Sequence, residues 1–310
     1  MAQVNIGAAI GAGFGLMRRH PLSVLAWGAL PIALQVGAFV LFAPLFVAIY
    51  APYVAAAQAH TIPTAPPTMT PQMLQADTWL QLFNLVQVLV TAVVNCAVFR
   101  AVLHPERSAF AFLRLGLTEL LVFVLIFMAV IVMAVVMVIV MIPVGVVMGF
   151  MMVMAHGSTT ALLVAAPLVV LAVLMGMLAF ALRFALAPAM VVDDGKFHLF
   201  DAWVLTRGHF WTMFAVAISL VLIAIVAELV FLVFAVAAGG AGLVAIAGSL
   251  ANLQSLFALP PPTLLARIAP VLAVYLLVAI PFFGALFAFL AAPWAQILRD
   301  LKPGAAEVFG

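Results

Sequence analysis

Three charged side chains fall inside long apolar runs, where a charge is costly and is normally paired, wetted or put to use. Glu228 lies about 17 residues into one such run, past its midpoint, with no cation at its own depth. Ionised, it would serve an ion or proton relay; neutral, it would hydrogen-bond between helices. Arg183 and Glu119 sit at comparable depth in two other runs. They are expected to form a structural ion pair, with a snorkelling Arg183 as the alternative. Asn84, Gln87 and Asn95 recur at spacings that keep them near one helical face. Amides so placed act as hydrogen-bond glue between helices, or less simply line a polar conduit.

The densest acidic and histidine group is Asp193, Asp194, His198 and Asp201. Hard or borderline metals take such ligands, but Asp-Asp-Gly reads as a turn and Asp201 as part of a helix start. No metal or cofactor is therefore assigned. Hydrolase chemistry fails on context: Ser158 and Ser249 each follow a glycine, yet neither has a His and Asp at matching depth to activate it. The sequence holds no His-Glu-x-x-His pair and no phosphate-cradling glycine loop with a lysine. Sixteen methionines, among them Met148, Met151, Met152 and Met154, read as pliable packing residues rather than a soft-metal path.

The elements that carry these residues follow from composition. Of 310 residues 69% are apolar and 6% charged, and mean hydropathy is +1.40. Soluble domains are about 25% charged, so lipid is the solvent for most side chains. Runs of about 20 apolar residues span a bilayer, and six emerge, near 23–50, 79–103, 118–148, 160–190, 211–238 and 270–297. Ten of the eleven Lys and Arg fall into four clusters: Arg18 and Arg19; Arg100, Arg107 and Arg114; Arg183, Lys196 and Arg207; Arg299 and Lys302. Only Arg267 stands apart. Every second gap between runs lacks a cluster, which by the positive-inside rule puts both termini in the cytoplasm. The first run is too long for a signal peptide and is read as a retained helix. The gap at 60–71 is a Pro/Thr spacer. The stretch 239–259 is read as interfacial or re-entrant, because a seventh span would carry Arg299 and Lys302 outside. The lone Cys96 excludes an intramolecular disulfide.

A short segment precedes each odd-numbered span. Ile6, Ile10, Phe14 and Met17 recur at helical spacing before Arg18 and Arg19; Phe110 and Phe112 precede Arg114; Phe197, Phe200, Trp203 and Val204 precede Arg207 and Trp211. Each is expected to be an amphipathic helix in the headgroup plane, aromatics down and cations up. The chain is thus read as one polytopic domain of three units, about 1–103, 104–190 and 191–300, each an interfacial helix plus a two-span hairpin.

Residues Arg183, Pro188, Asp193, Asp194 and Gly195, followed by Phe200, Trp203, Thr206-Arg207-Gly208 and Phe210-Trp211, resemble the signature of the glycerophosphodiester phosphodiesterase membrane-domain family. The opening Ile6-Gly7, Phe14 and Arg18-Arg19-His20-Pro21 is similar to that family's usual start. The match covers about 30 residues well, and the six-span plan fits throughout. The family takes its name from a catalytic domain fused to some members, which this sequence does not carry. The resemblance implies a stand-alone bacterial membrane domain without that activity.

The expectation is an all-α, non-catalytic inner-membrane protein that contacts anionic lipid headgroups and organises membrane or envelope. The contact residues are Phe14, Arg18, Arg19, Phe110, Arg114, Phe200, Trp203, Arg207 and Trp211. A net charge of +2 gives nucleic-acid binding no support. Homo-oligomerisation is left open. The alternative is a transporter or channel using Glu228 and the polar face of span two.

Overall fold

The computed structural model describes residues 5–58, 71–106, 109–154, 159–249, 252–257 and 259–302. All regular structure among them is helical, as the backbone must be where water cannot satisfy it. In chain order the helices are α1 (Ile6–Arg19), α2 (Pro21–Gln58), α3 (Pro71–Leu103), α4 (Leu117–Met154), α5 (Thr159–Phe184), α6 (Ala187–Asp194), α7 (Leu199–Leu205), α8 (Phe210–Phe234), α9 (Ala241–Ala247), α10 (Leu253–Phe257) and α11 (Pro261–Leu301). Six helical stretches are long and apolar enough to cross a membrane. The Pro/Thr spacer at 60–71 falls almost wholly outside the described residues, as do His156 and Ser158 and the side chains of Met148, Met151, Met152 and Met154.

Helix ends follow local chemistry. Asn5 caps α1 by accepting from the Ala8 amide at 3.1 Å, and Arg18 and Arg19 occupy its last turn, where cations offset the negative end of the helix dipole. Span four breaks after Phe184, and α6 restarts with Pro188 in its first turn. Gly195 ends α6 at φ 74°, a left-handed cap that glycine adopts without steric cost.

The stretch 239–259 does not add a seventh span among the described residues, and it begins as a continuation of the preceding helix. From α8 the chain passes through a π-helical turn (Ala235–Gly240) into α9, and only then turns at Gly248. The segment before α4 also differs from expectation. In place of an amphipathic helix there is a four-residue turn, Ala109–Phe112, with Phe110, Ala111 and Phe112 at φ 53°, 55° and 62°. Three successive left-handed residues cost about 1–2 kcal/mol each, so tertiary contacts must hold them.

Packing is concentrated at one end. There α11 is the central post, with α1, α2 and α3 against it and α4 and α6 against α3. Trp27, Val94, Val98, Phe112, Val122 and Leu298 are buried in this core. Helices α2 and α11 cross with their backbones in contact: a Cβ on Gly28 would lie 1.9 Å from the Ile280 carbonyl, and one on Gly284 would lie 2.0 Å from that of Val24. Close small-residue crossings of this kind replace the hydrophobic drive that lipid removes. Away from this end, the described side chains of α4, α5 and α8 are little buried and present Val, Leu, Ile, Phe and Met outward.

Candidate functional site

The buried charge of the packed end is a pair between helices adjacent in sequence. Arg100, in the last turn of α3, forms an ion pair with Glu119, in the first turn of α4. Their side chains are 10% and 3% exposed. Glu119 is thus paired, but with Arg100 rather than Arg183. Arg100 also donates to the Phe112 carbonyl at 3.1 Å, and the Trp27 indole donates to the Ala111 carbonyl at 2.8 Å. These two bonds, with Phe112 sealed in the core and edge-on to His20 at 5.4 Å, pin the left-handed turn. Phe110 is thrown outward by it, 89% exposed, and Arg114 follows it into the open.

Arg183, in the last turn of α5, makes the corresponding contact one hairpin later. It donates to the Thr206 carbonyl at 3.4 Å and stacks over the rings of Trp203 at 5.5 Å and Phe210 at 5.7 Å. Cation–π contacts of this kind contribute about 0.5–2 kcal/mol, more as they are desolvated. Trp203 is held between Arg183 and the rings of Phe180 and Phe184, so it faces α5. Phe200, Arg207 and Trp211 face outward, and Phe14 does so on α1, touching Phe289 edge-on at 5.4 Å. Arg18 and Arg19 are also exposed. The inward face of α1 is Ala9, Gly13 and Leu16, which presses the helix onto α11.

The acidic and histidine group assembles in part. His198 contacts Asp201 through Nδ1 at 2.6 Å and Asp194 through Nε2 at 2.5 Å. Bonding both ring nitrogens to carboxylates requires both to carry protons. The bond to Asp201 is the main reason His198 titrates above its ordinary 6.5, with burial opposing and Asp194 reinforcing it. Asp193 turns elsewhere, pairing with Lys302 and lying 3.7 Å from His104. Among the described residues no group of three or more His, Cys, Asp or Glu is placed to hold a metal.

The intramembrane polar residues are not brought together. Glu228 projects from the outer side of α8 without an ion pair or hydrogen bond among the described residues, so it is not bonded between helices as expected. On α3, Asn84 is exposed and Gln87 and Asn95 are half-buried; among the described residues none of them makes the interhelical bond expected of it.

Among the described residues, three cavities have walls that hold none of Glu228, Asn84, Gln87 and Asn95. One, of 720 Å³, is almost wholly apolar and lies between α4, α5 and α7, lined by Ile126, Met133, Phe184, Phe200 and Trp203. A second, 560 Å³, lies between α2, the π-helical turn and α11, with Gln35 and Tyr275 as its polar side chains. The third, 360 Å³, lies between α1 and the ends of α3 and α11, with Arg19, Gln296 and Arg299 in its wall. Two of these features escaped the sequence reading. Arg100 was read only as an orientation signal, although it and Glu119 stand at the same end of consecutive antiparallel spans. The third cavity joins residues almost 300 positions apart, which spacing cannot reveal.

Comparison of the chain with protein-family models, with curated proteins and with solved structures found no match.

Proposed function

We propose that this chain is a non-catalytic bacterial inner-membrane protein whose arginine-rich end contacts anionic headgroups on the cytoplasmic side and whose long apolar helices organise the surrounding bilayer. The observation that carries this reading is the length of lipid-facing helix. Helix α4 has 38 residues, about 57 Å at 1.5 Å per residue, with Glu119 as its sole charge. The hydrocarbon core is about 30 Å thick. Even a tilt of about 40°, the upper end of the usual range, leaves α4 about 44 Å tall. Such a mismatch is met by thickening the bilayer or gathering lipid around the helix.

The exposed aromatics and cations Phe14, Arg18, Phe110, Arg114, Phe200, Arg207 and Trp211 support contact with headgroups at the packed end. A threefold plan fits the contacts of Arg100 and Arg183. Each sits in the last turn of a hairpin's second helix and donates to a carbonyl of the segment leading into the next hairpin. The resemblance to the glycerophosphodiester phosphodiesterase membrane-domain family points the same way. Transport is the rival reading, and Glu228, without a partner among the described residues, is its support.

The test is reconstitution into anionic and zwitterionic vesicles with imaging of vesicle shape and bilayer thickness. The expected result is remodelling that is stronger with anionic lipid, weakened by a Phe200→Ala, Arg207→Gln, Trp211→Ala triple change of exposed residues, and indifferent to Glu228→Gln. Solute or proton flux abolished by Glu228→Gln, with no change in vesicle shape, would overturn the reading in favour of transport.

A further inference from the structure

Helices α3, α5 and α11 each end a hairpin with an arginine in the last turn: Arg100, Arg183 and Arg299. Arg100 and Arg183 are spent on protein groups, Glu119 and Phe112 for one and Thr206, Trp203 and Phe210 for the other. Arg299 has no such partner among the described residues, and the segment it faces is α1. Where they meet, the 360 Å³ cavity opens, with Arg19 of α1 sharing its wall. Arg19 is likewise exposed and unpartnered among the described residues.

From this we infer that the cavity between α1 and the ends of α3 and α11 is a binding pocket for a phosphate anion, held by Arg19 and Arg299. It rests on the membrane-organising reading only in taking a lipid headgroup as one source of that phosphate.

The chemistry fits in two respects. Two guanidinium groups, one from α1 and one from α11, line the cavity and offer forked donors, the geometry that suits phosphate oxygens. Asp300, the carboxylate next to Arg299, is engaged by Gln296 at 2.8 Å. The room exists by virtue of small residues. Gly11 and Gly15 line the cavity, and a Cβ on either would meet nothing within 4 Å. Bulk at these positions would fill the pocket without pushing the helices apart.

The experiment measures binding to the full chain in mild detergent with three probes: inorganic phosphate, short-chain phosphatidylglycerol and short-chain phosphatidylcholine. The expected order is phosphatidylglycerol over phosphatidylcholine, with inorganic phosphate competing. Arg19→Gln with Arg299→Gln should weaken anion binding at least tenfold. Gly11→Leu with Gly15→Leu keeps both charges but fills the cavity and should weaken it as much, while Arg267→Gln, an exposed cation outside the pocket wall, changes it by less than threefold. Unchanged thermal midpoints show that the variants fold, and the two double variants report on the pocket independently. Binding of phosphatidylglycerol without inorganic phosphate fixes the headgroup as the source; binding of inorganic phosphate alone fixes free phosphate. Anion binding that survives the leucine variant, or that falls equally with Arg267→Gln, is surface attraction and overturns the pocket, as does no binding by the wild type. Either leaves vesicle remodelling standing, whereas pocket binding in a chain that does not remodel vesicles sinks the membrane-organising reading alone.

Discussion

Replacing Glu119 by Leu should be among the most damaging single changes in this protein, and replacing Arg100 as well should restore much of the loss. With Glu119 gone, Arg100 remains as a buried, uncompensated charge, which costs about 3–5 kcal/mol. Replacing Arg100 alone by Leu strands Glu119 in the same way and strips the Phe112 carbonyl of its donor, a further ~1–3 kcal/mol. The double Arg100→Leu, Glu119→Leu variant carries neither buried charge, so only the carbonyl term of about 1–3 kcal/mol remains. The cycle should therefore show a coupling of several kcal/mol. Unfolding in mixed detergent micelles, followed by tryptophan fluorescence, reads it directly, since Trp27 bonds to the same turn. The matching cycle of Arg183→Leu with Glu119→Leu should be additive, because Arg183 contacts Thr206, Trp203 and Phe210 instead. Additivity within about 0.5 kcal/mol for Arg100 and Glu119, or strong coupling for Arg183 and Glu119, would refute the reasoning.

Gly28→Ala should destabilise by about 1–3 kcal/mol or more through overpacking at the α2–α11 crossing. Gly37→Ala, on the same helix with open space around its Cβ, should be neutral or slightly stabilising in the same unfolding assay. Protonated His198 is bonded to both Asp201 and Asp194 and its pKa lies above 6.5. Its contribution to stability is therefore full below pH 6.5 and is lost as pH rises through the raised folded value. His198→Gln should remove that pH dependence from thermal midpoints measured across this range. Reporter fusions after Ala65, Gly157 and Leu259 should read outside and fusions after Ser108 and Gly195 inside; an inside signal after Leu259 would break the six-span topology.

The spans were legible because a bilayer-length apolar run is a strong signal and few charges interrupt it. Pairing was not. Arg183 and Glu119 were matched by depth, but depth says nothing about which helices touch, and Glu119 found the arginine at the end of the preceding span. The segment around Phe110 and Phe112 carries a helical pattern, yet burial of Phe112 and the donors Arg100 and Trp27 hold a left-handed turn that no local preference favours. The glycine-rich stretch 239–259 reads as an interfacial or re-entrant segment of its own, whereas its first part continues the preceding helix through the π-turn to Ala247. The seat of α1 was not legible either: Ile6, Ile10, Phe14 and Met17 mark an apolar face, but the small Ala9 and Gly13, which let the helix sit against α11, give no such signal.

The account stands or falls on whether Glu228 meets lipid or water. The most direct measurement places a cysteine there, in a Cys96→Ala background that removes the protein's sole other thiol, and reconstitutes the variant in vesicles. The account gives a Glu228→Cys thiol that resists charged, membrane-impermeant reagents from both sides and is quenched, once labelled with a fluorophore, by brominated acyl chains. Rapid reaction with the charged reagents from both sides, without acyl-chain quenching, would mark a wet path through the protein and contradict it.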